Sequence, residues 1–193
     1  MIERLQAPEI LIPRLAVLGC SRRQRGLLQE ALAQHGNAVV FRDPRGRVID
    51  VDAISNLVTT AGLNKYLDAT LKTGLTTPAW YLLLTDGTPT VAAGDTMASH
   101  AGWVEVTAYS ESVRQTWTPG TISAGSVDNS GSVATFTVNA DNTTIGGAGL
   151  VDVSTKGGTT GTLLGVGAFT GGDQILDSGS TIEVTATFTQ AAA

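Results

Sequence analysis

The chain has 193 residues, enough for one good core or for one core plus a small accessory module. Hydrophobic residues make up 42%, which excludes a disordered chain, while charged residues are only 15% against a usual share of about 25%. The formal charge of −5 divides into +3 over residues 1–50 and −8 over residues 51–193, so a mildly basic and an acidic surface are expected.

Residues 1–20 carry apolar stretches interrupted by Pro8 and Pro13, which forbid one continuous helix and suggest an extended arm. The run over 10–20 is too short to span a bilayer and lacks a signal-cleavage site, so a soluble product made in the cytosol is expected. Cys20 is the single cysteine, so no intrachain disulfide can form. Ser21 is placed to cap a helix from Arg22 to His35, whose apolar stripe is Leu27, Leu28, Ala31 and Leu32. Ala38–Phe41 and Val48–Val51 read as a hairpin around Asp43-Pro44-Arg45-Gly46, which is good turn chemistry. Residues 1–52 are therefore expected to form a small α+β module. A second helix is predicted over about Thr60–Lys72, with Leu63, Tyr66, Leu67 and Leu71 marking its apolar face and Gly74 ending it.

From Pro78 onward the pattern is strand and turn. Candidate strands are Ala79–Leu84, Trp103–Tyr109, Val113–Thr118, Thr121–Val127, Ser132–Asn139, Leu150–Val153, Thr162–Phe169 and Thr181–Thr189. About eight short strands with turn signals between them predict a mainly β domain over 53–193, an antiparallel β-sandwich that follows the second helix. Between the first two candidates, Asp95 and Thr96 are expected to cap a helical turn from Met97 to His100, ended by Gly102, before Trp103 opens the next strand.

Motifs that carry chemistry are sparse. The glycine clusters Gly146-Gly147-Ala148-Gly149 and Lys156-Gly157-Gly158-Thr159-Thr160-Gly161 lack the phosphate-loop order and read as hairpin turns. Two histidines and one cysteine give no transition-metal spacing, and Asp86, Asp95 and Glu105 match no calcium loop, so no metal or cofactor is expected. An enzyme would rest on His100 with Asp95 or Glu105, and no second cluster supports that reading. Trp80, Trp103 and Trp117 either anchor a core or interface or form a stacking platform for a glycan. The arginines Arg22, Arg23 and Arg25, with Arg42, Arg45 and Arg47 on the hairpin, read as a partner-facing edge more readily than as a nucleic-acid surface.

The run 56–65 (NLVTTAGLNK), then Trp80-Tyr81-Leu82, then 93–103 (AGDTMASHAGW) resembles a family of tailed-bacteriophage structural proteins. The stretches 154–163 (STKGGTTGTL) and 169–173 (FTGGD) are also similar to it, so the resemblance covers roughly residues 55–190. Where that family usually has proline after the arginine, this chain has Gln115. The resemblance implies a virion component made in the host cytoplasm, most plausibly a decoration (cement) protein on the capsid exterior, with a tail or fibre adaptor as the alternative. It implies no catalytic residue. The expected partners are the major capsid protein and further copies of the chain, as a dimer or trimer, and neither nucleic acid nor membrane. Arg22, Arg23, Arg25, Arg42, Arg45 and Arg47 are the expected capsid-docking residues. Trp80, Asp95, His100, Trp103 and Trp117 are the expected structural or interface anchors.

Overall fold

The structure is a computed structural model, and it describes residues 37–72 and 78–189. The predicted arm and the helix over 22–35 lie outside the described residues. Strands β1 (Ala38–Arg42) and β2 (Val48–Val58) form the expected hairpin. Its turn is held by the Asp43 carboxylate, which accepts the backbone N–H of Arg45 and of Arg47, each at 2.9 Å, while Gly46 takes φ +75°. These bonds, the Arg47 backbone bond first, hold the Asp43 carboxyl below its ordinary range.

The remaining elements are helix α1 (Thr60–Leu71) and strands β3 (Trp80–Thr85), β4 (Gln115–Trp117), β5 (Ser126–Asp128), β6 (Ala134–Thr137), β7 (Thr143–Ile145), β8 (Gly147–Val151), β9 (Leu163–Phe169), β10 (Gln174–Leu176), β11 (Thr181–Thr185) and β12 (Thr187–Thr189). The protein is mainly β, with one helix among the described residues. Eight strands hydrogen-bond in the unbroken order β4-β3-β8-β9-β2-β1-β11-β6, antiparallel at every pairing. A sandwich keeps two sheets separate; here one sheet curls until its edge strands β4 and β6 come together, nearly closing a barrel. The hairpin β1–β2 sits inside this sheet, between β11 and β9, so the sheet draws on both sides of residue 52. Two small pairs, β7–β10 and β5–β12, flank it.

The barrel interior is packed by Phe41, Leu82, Leu84, Phe136, Ile182 and Val184 among others. Alternation along β3 sends Leu83 to the opposite face, where Met97, Trp103, Val151, Leu163 and Val166 form a second cluster. The loop over 90–103 therefore covers the outside of the barrel wall. That double burial explains why Trp80–Leu84 reads as a continuous apolar run rather than an alternating one.

Several local expectations change. Gly146-Gly147-Ala148-Gly149 is not a turn: Gly147–Val151 is strand β8, buried throughout. A Cβ at Gly147 would overlap the Gly167 carbonyl of β9, and one at Gly149 would crowd that of Gly165, so glycine here permits close strand packing. The run Trp103–Tyr109 makes only isolated bridges, at Glu105 to Thr85 and at Tyr109 to Val138. The last predicted strand divides at Ala186. There the buried side chain of Asn129 accepts Ala186 N–H at 2.8 Å and donates to the Val184 carbonyl at 3.1 Å, standing in for a ladder while the chain changes partner from β1 and β6 to β5.

Candidate functional site

The stretch most specific to the resemblance, 95–103 (DTMASHAGW), folds as a clasp. Thr96 and Ser99 exchange two backbone hydrogen bonds, at 3.0 and 3.1 Å, around Met97 and Ala98, forming a tight two-residue turn in place of the predicted helical one. Thr96 Oγ1 does accept Ser99 N–H at 3.1 Å, but the Asp95 carboxylate does not cap the residues after it. Its Oδ2 reaches back to accept Ala92 N–H at 3.1 Å and forward to accept Trp103 Nε1–H at 3.2 Å. Trp103 is buried, and the His100 ring stacks on it at 3.7 Å with 16° between the planes. His100 Nδ1 donates to the Trp103 carbonyl at 2.9 Å, which fixes that ring's orientation. Gly102 is required by space: a Cβ there would overlap the Thr90 carbonyl, and Thr90 N–H in turn bonds Gly102 O at 2.9 Å.

Glu105 takes no part in this group. It pairs with Arg114, which is fully buried, through Nε at 2.9 Å and Nη2 at 2.6 Å, in bidentate geometry. Arg114 also donates to the carbonyls of Val153 and Gly158, each at 2.8 Å, and so ties three loops together. Lys156, from the same glycine-rich loop, donates to the carbonyls of Tyr109 and Glu111 at 2.8 and 2.7 Å and stands 4.2 Å from the Tyr109 ring centre. Lys156 lies in the stretch 154–163 and Arg114 precedes Gln115, both within the resemblance, but no spacing or periodicity signals that either is a buried tie. Burial, with Glu105 adding to it, pushes the Tyr109 phenol far above its ordinary range, and the phenol oxygen is buried without a hydrogen-bond partner.

Asp95, His100 and Glu105 thus each hold a different structural contact and do not converge as an acid–base set. Among the described residues, no three His, Cys, Asp or Glu side chains are grouped so as to hold a metal ion. Nor do the tryptophans share an exposed face. Trp103 and Trp117 are buried, Trp117 Nε1 donates to the Ala186 carbonyl at 3.0 Å, and half-buried Trp80 lies opposite Trp117 across β3 and β4.

The docking arginines divide into three groups. Arg22, Arg23 and Arg25 lie outside the described residues. Arg42 is buried in the sheet, where it donates to Glu183 at 2.8 and 3.2 Å and to the Gly46 carbonyl at 3.3 Å, so it offers nothing to a partner's surface. Arg45 and Arg47 are exposed at the hairpin tip, Arg47 with Asp43 as its ion-pair partner.

Helix α1 departs from expectation most. Thr59 caps it, accepting Gly62 N–H at 3.0 Å and donating to the Leu163 carbonyl at 2.5 Å. Gly62 rests against the backbone of Leu164, closer than any Cβ would allow, and it is the helix's one buried residue. The side expected to face the core points outward: Leu63, Tyr66, Leu67 and Leu71 are all exposed. A small apolar cavity within the barrel is lined by Ile54, Leu82, Ala148 and Leu150, with Asn37 and Val58 at its edge. Compared with known proteins, the chain matches no protein-family model and no curated sequence. No helix among the described residues is long and apolar enough to cross a membrane.

Proposed function

We propose that this protein is a structural component of a tailed-bacteriophage virion, a decoration protein that binds the major capsid protein lattice beside further copies of itself and stabilises the head. The observation that carries this reading is where the most family-like residues go. Asp95, His100 and Trp103 build a clasp that fastens one loop to the outside of the barrel wall, and each of these three side chains bonds to its own chain. A motif whose conspicuous residues serve architecture suits a shell protein, which acts by presenting a rigid surface many times over. A surface rich in Thr and Gly and poor in charge fits close packing against neighbours. In this reading the β body over 53–193 meets neighbouring copies, and residues 1–52 dock onto the capsid, with Arg45 and Arg47 at the hairpin tip in the leading position.

Quantification of the protein in purified virions tests this. Hundreds of copies per particle support a head decoration role, and a dozen or fewer transfer the protein to a tail or fibre adaptor. Absence from particles, or glycan binding by the isolated protein that is lost in Trp80→Ala at unchanged stability, refutes the virion-structural reading in favour of a receptor-binding one.

A further inference from the structure

The eight-stranded sheet ends in β4 and β6, which lie side by side with no hydrogen-bonded ladder between them. Residues 105–114 cross this seam at one end of the barrel. The strap leaves the end of β3, where Glu105 bridges Thr85 and Val106 N–H donates to the Leu84 carbonyl at 2.9 Å. It reaches the end of β6, where Tyr109 bridges Val138 and Ser110 N–H donates to the Thr137 carbonyl at 2.8 Å. There the Glu111 carboxylate also accepts Thr137 N–H at 3.1 Å. The chain then turns back into β4. Val106 and Tyr109 join the apolar interior, Tyr109 edge-on to Phe136 with 5.1 Å between ring centres.

What holds the strap differs from what holds the strands. No pairing of the eight-stranded sheet runs through residues 105–114 or 153–160. These two segments hold each other, each through one cation. Arg114, on the strap, donates from its side chain to the Val153 and Gly158 carbonyls, and from its N–H to the Ser154 carbonyl at 2.9 Å. Lys156, on the loop, donates to the Tyr109 and Glu111 carbonyls of the strap. Displacing either segment strips the other of its donors. The Tyr109 hydroxyl lowers the cost of opening, because it is buried without a partner and regains water when the strap lifts.

We infer that residues 105–114 and the loop over 153–160 form one cooperative latch on the barrel seam, which opens as a unit while the rest of the eight-stranded sheet stays paired. Local opening of this kind belongs to segments fixed by side-chain ties rather than by a strand ladder. The open latch uncovers the facing edges of β4 and β6, and free strand edges are the parts of a sheet that pair with other chains. The inference does not rest on the virion reading and stands or falls separately.

Native-state amide hydrogen exchange on the full chain tests it. The reporting amides are Ser110, Arg114 and Gly158 within the latch, with Thr137 and Asn139, whose acceptors on Glu111 and Ala108 lie in the strap. These five are expected to share similar protection, at least ~100-fold below that of the amides paired between β1 and β11. Urea below the unfolding transition should raise their exchange less steeply than that of β1, since opening the latch exposes less surface than unfolding the barrel. Lys156→Met removes a charged donor and should speed Ser110, Arg114 and Gly158 together by at least ~10-fold. Unchanged Gly158 exchange in that variant, whether or not Ser110 responds, overturns the inference. So does wild-type protection of the five amides equal to that of β1 with the same urea dependence, which would mean that the strap opens only when the whole barrel unfolds. Should Lys156→Met fail to fold, the wild-type comparison decides alone.

Discussion

No spacing or periodicity in the sequence marks Arg114 as a structural tie, yet its replacement should be among the most damaging in the chain. Arg114→Met keeps length and apolar volume but removes the guanidinium, and with it the bidentate contact to Glu105 and the donors to Val153 O and Gly158 O. The Glu105 side chain, 7% exposed, is left with its charge uncompensated. Breaking one partner of such a buried pair costs about 3–5 kcal/mol, because the remaining charge keeps its desolvation penalty. Against a total stability of about 5–15 kcal/mol this is a large share. For a chain of this size it lowers the melting temperature by about 6–20 °C. Urea unfolding followed by tryptophan fluorescence measures the loss. The double variant Arg114→Met with Glu105→Met should recover part of it, since neither charge remains, though two carbonyls still lack their donor. Coupling of at least ~2 kcal/mol in the double-mutant cycle is expected. A single-variant loss below ~1 kcal/mol, or two substitutions that simply add, would show that this tie does not hold the three loops together.

Other consequences are open to the same assays. Tyr109→Phe should raise stability by about 1 kcal/mol at neutral pH, because it removes a buried hydroxyl that has no partner. It should also flatten alkaline unfolding. The folded phenol stays neutral while the unfolded one ionises above about pH 10, so the wild type loses stability as pH rises from there; equal slopes in the two proteins would contradict this. Gly102→Ala should cost at least ~1–3 kcal/mol by forcing the clasp off the Thr90 carbonyl, seen as a red shift of Trp103 emission, and an unshifted spectrum would count against the required close approach. Reversing Arg45 and Arg47 to glutamate should lower occupancy on isolated heads while costing at most ~1 kcal/mol from the exposed Arg47–Asp43 pair, whereas the same change at Arg42 should destabilise the sheet far more through Glu183. Equal occupancy in the hairpin-tip variant would remove that tip from the docking surface.

How far the sequence discloses this molecule depends on the range over which each signal acts. Asp43-Pro44-Arg45-Gly46 encodes its turn locally, through one carboxylate and one positive φ, and the hairpin stands where that turn predicts it. Strands long enough to show their pattern, such as β3, β6 and β9, are legible for the same reason; β7 and β10, three residues each, show none. Glycine misleads when its role is spatial. In β8 the absent Cβ answers to the carbonyls of β9, residues distant in sequence, and nothing local separates that use from a turn. Closure of the sheet is invisible for a related reason. Alternation tells which face of a strand is buried, but it cannot tell whether that face meets a second sheet or the far side of its own. Of the residues singled out for function, Asp95, His100 and Trp103 do come together, through contacts that fix a loop; Glu105 goes to an arginine nine residues on that periodicity cannot identify.

Helix α1 is the instructive failure, because its pattern is legible and its surroundings are not. A stripe of Leu63, Tyr66, Leu67 and Leu71 reports that a helix buries that side against something; it does not say what. The nearly closed barrel already packs its own apolar residues inside, and Gly62 against Leu164 seats the helix by its other side. Leu63, Leu67 and Leu71 therefore lie on the side of the helix turned away from the barrel.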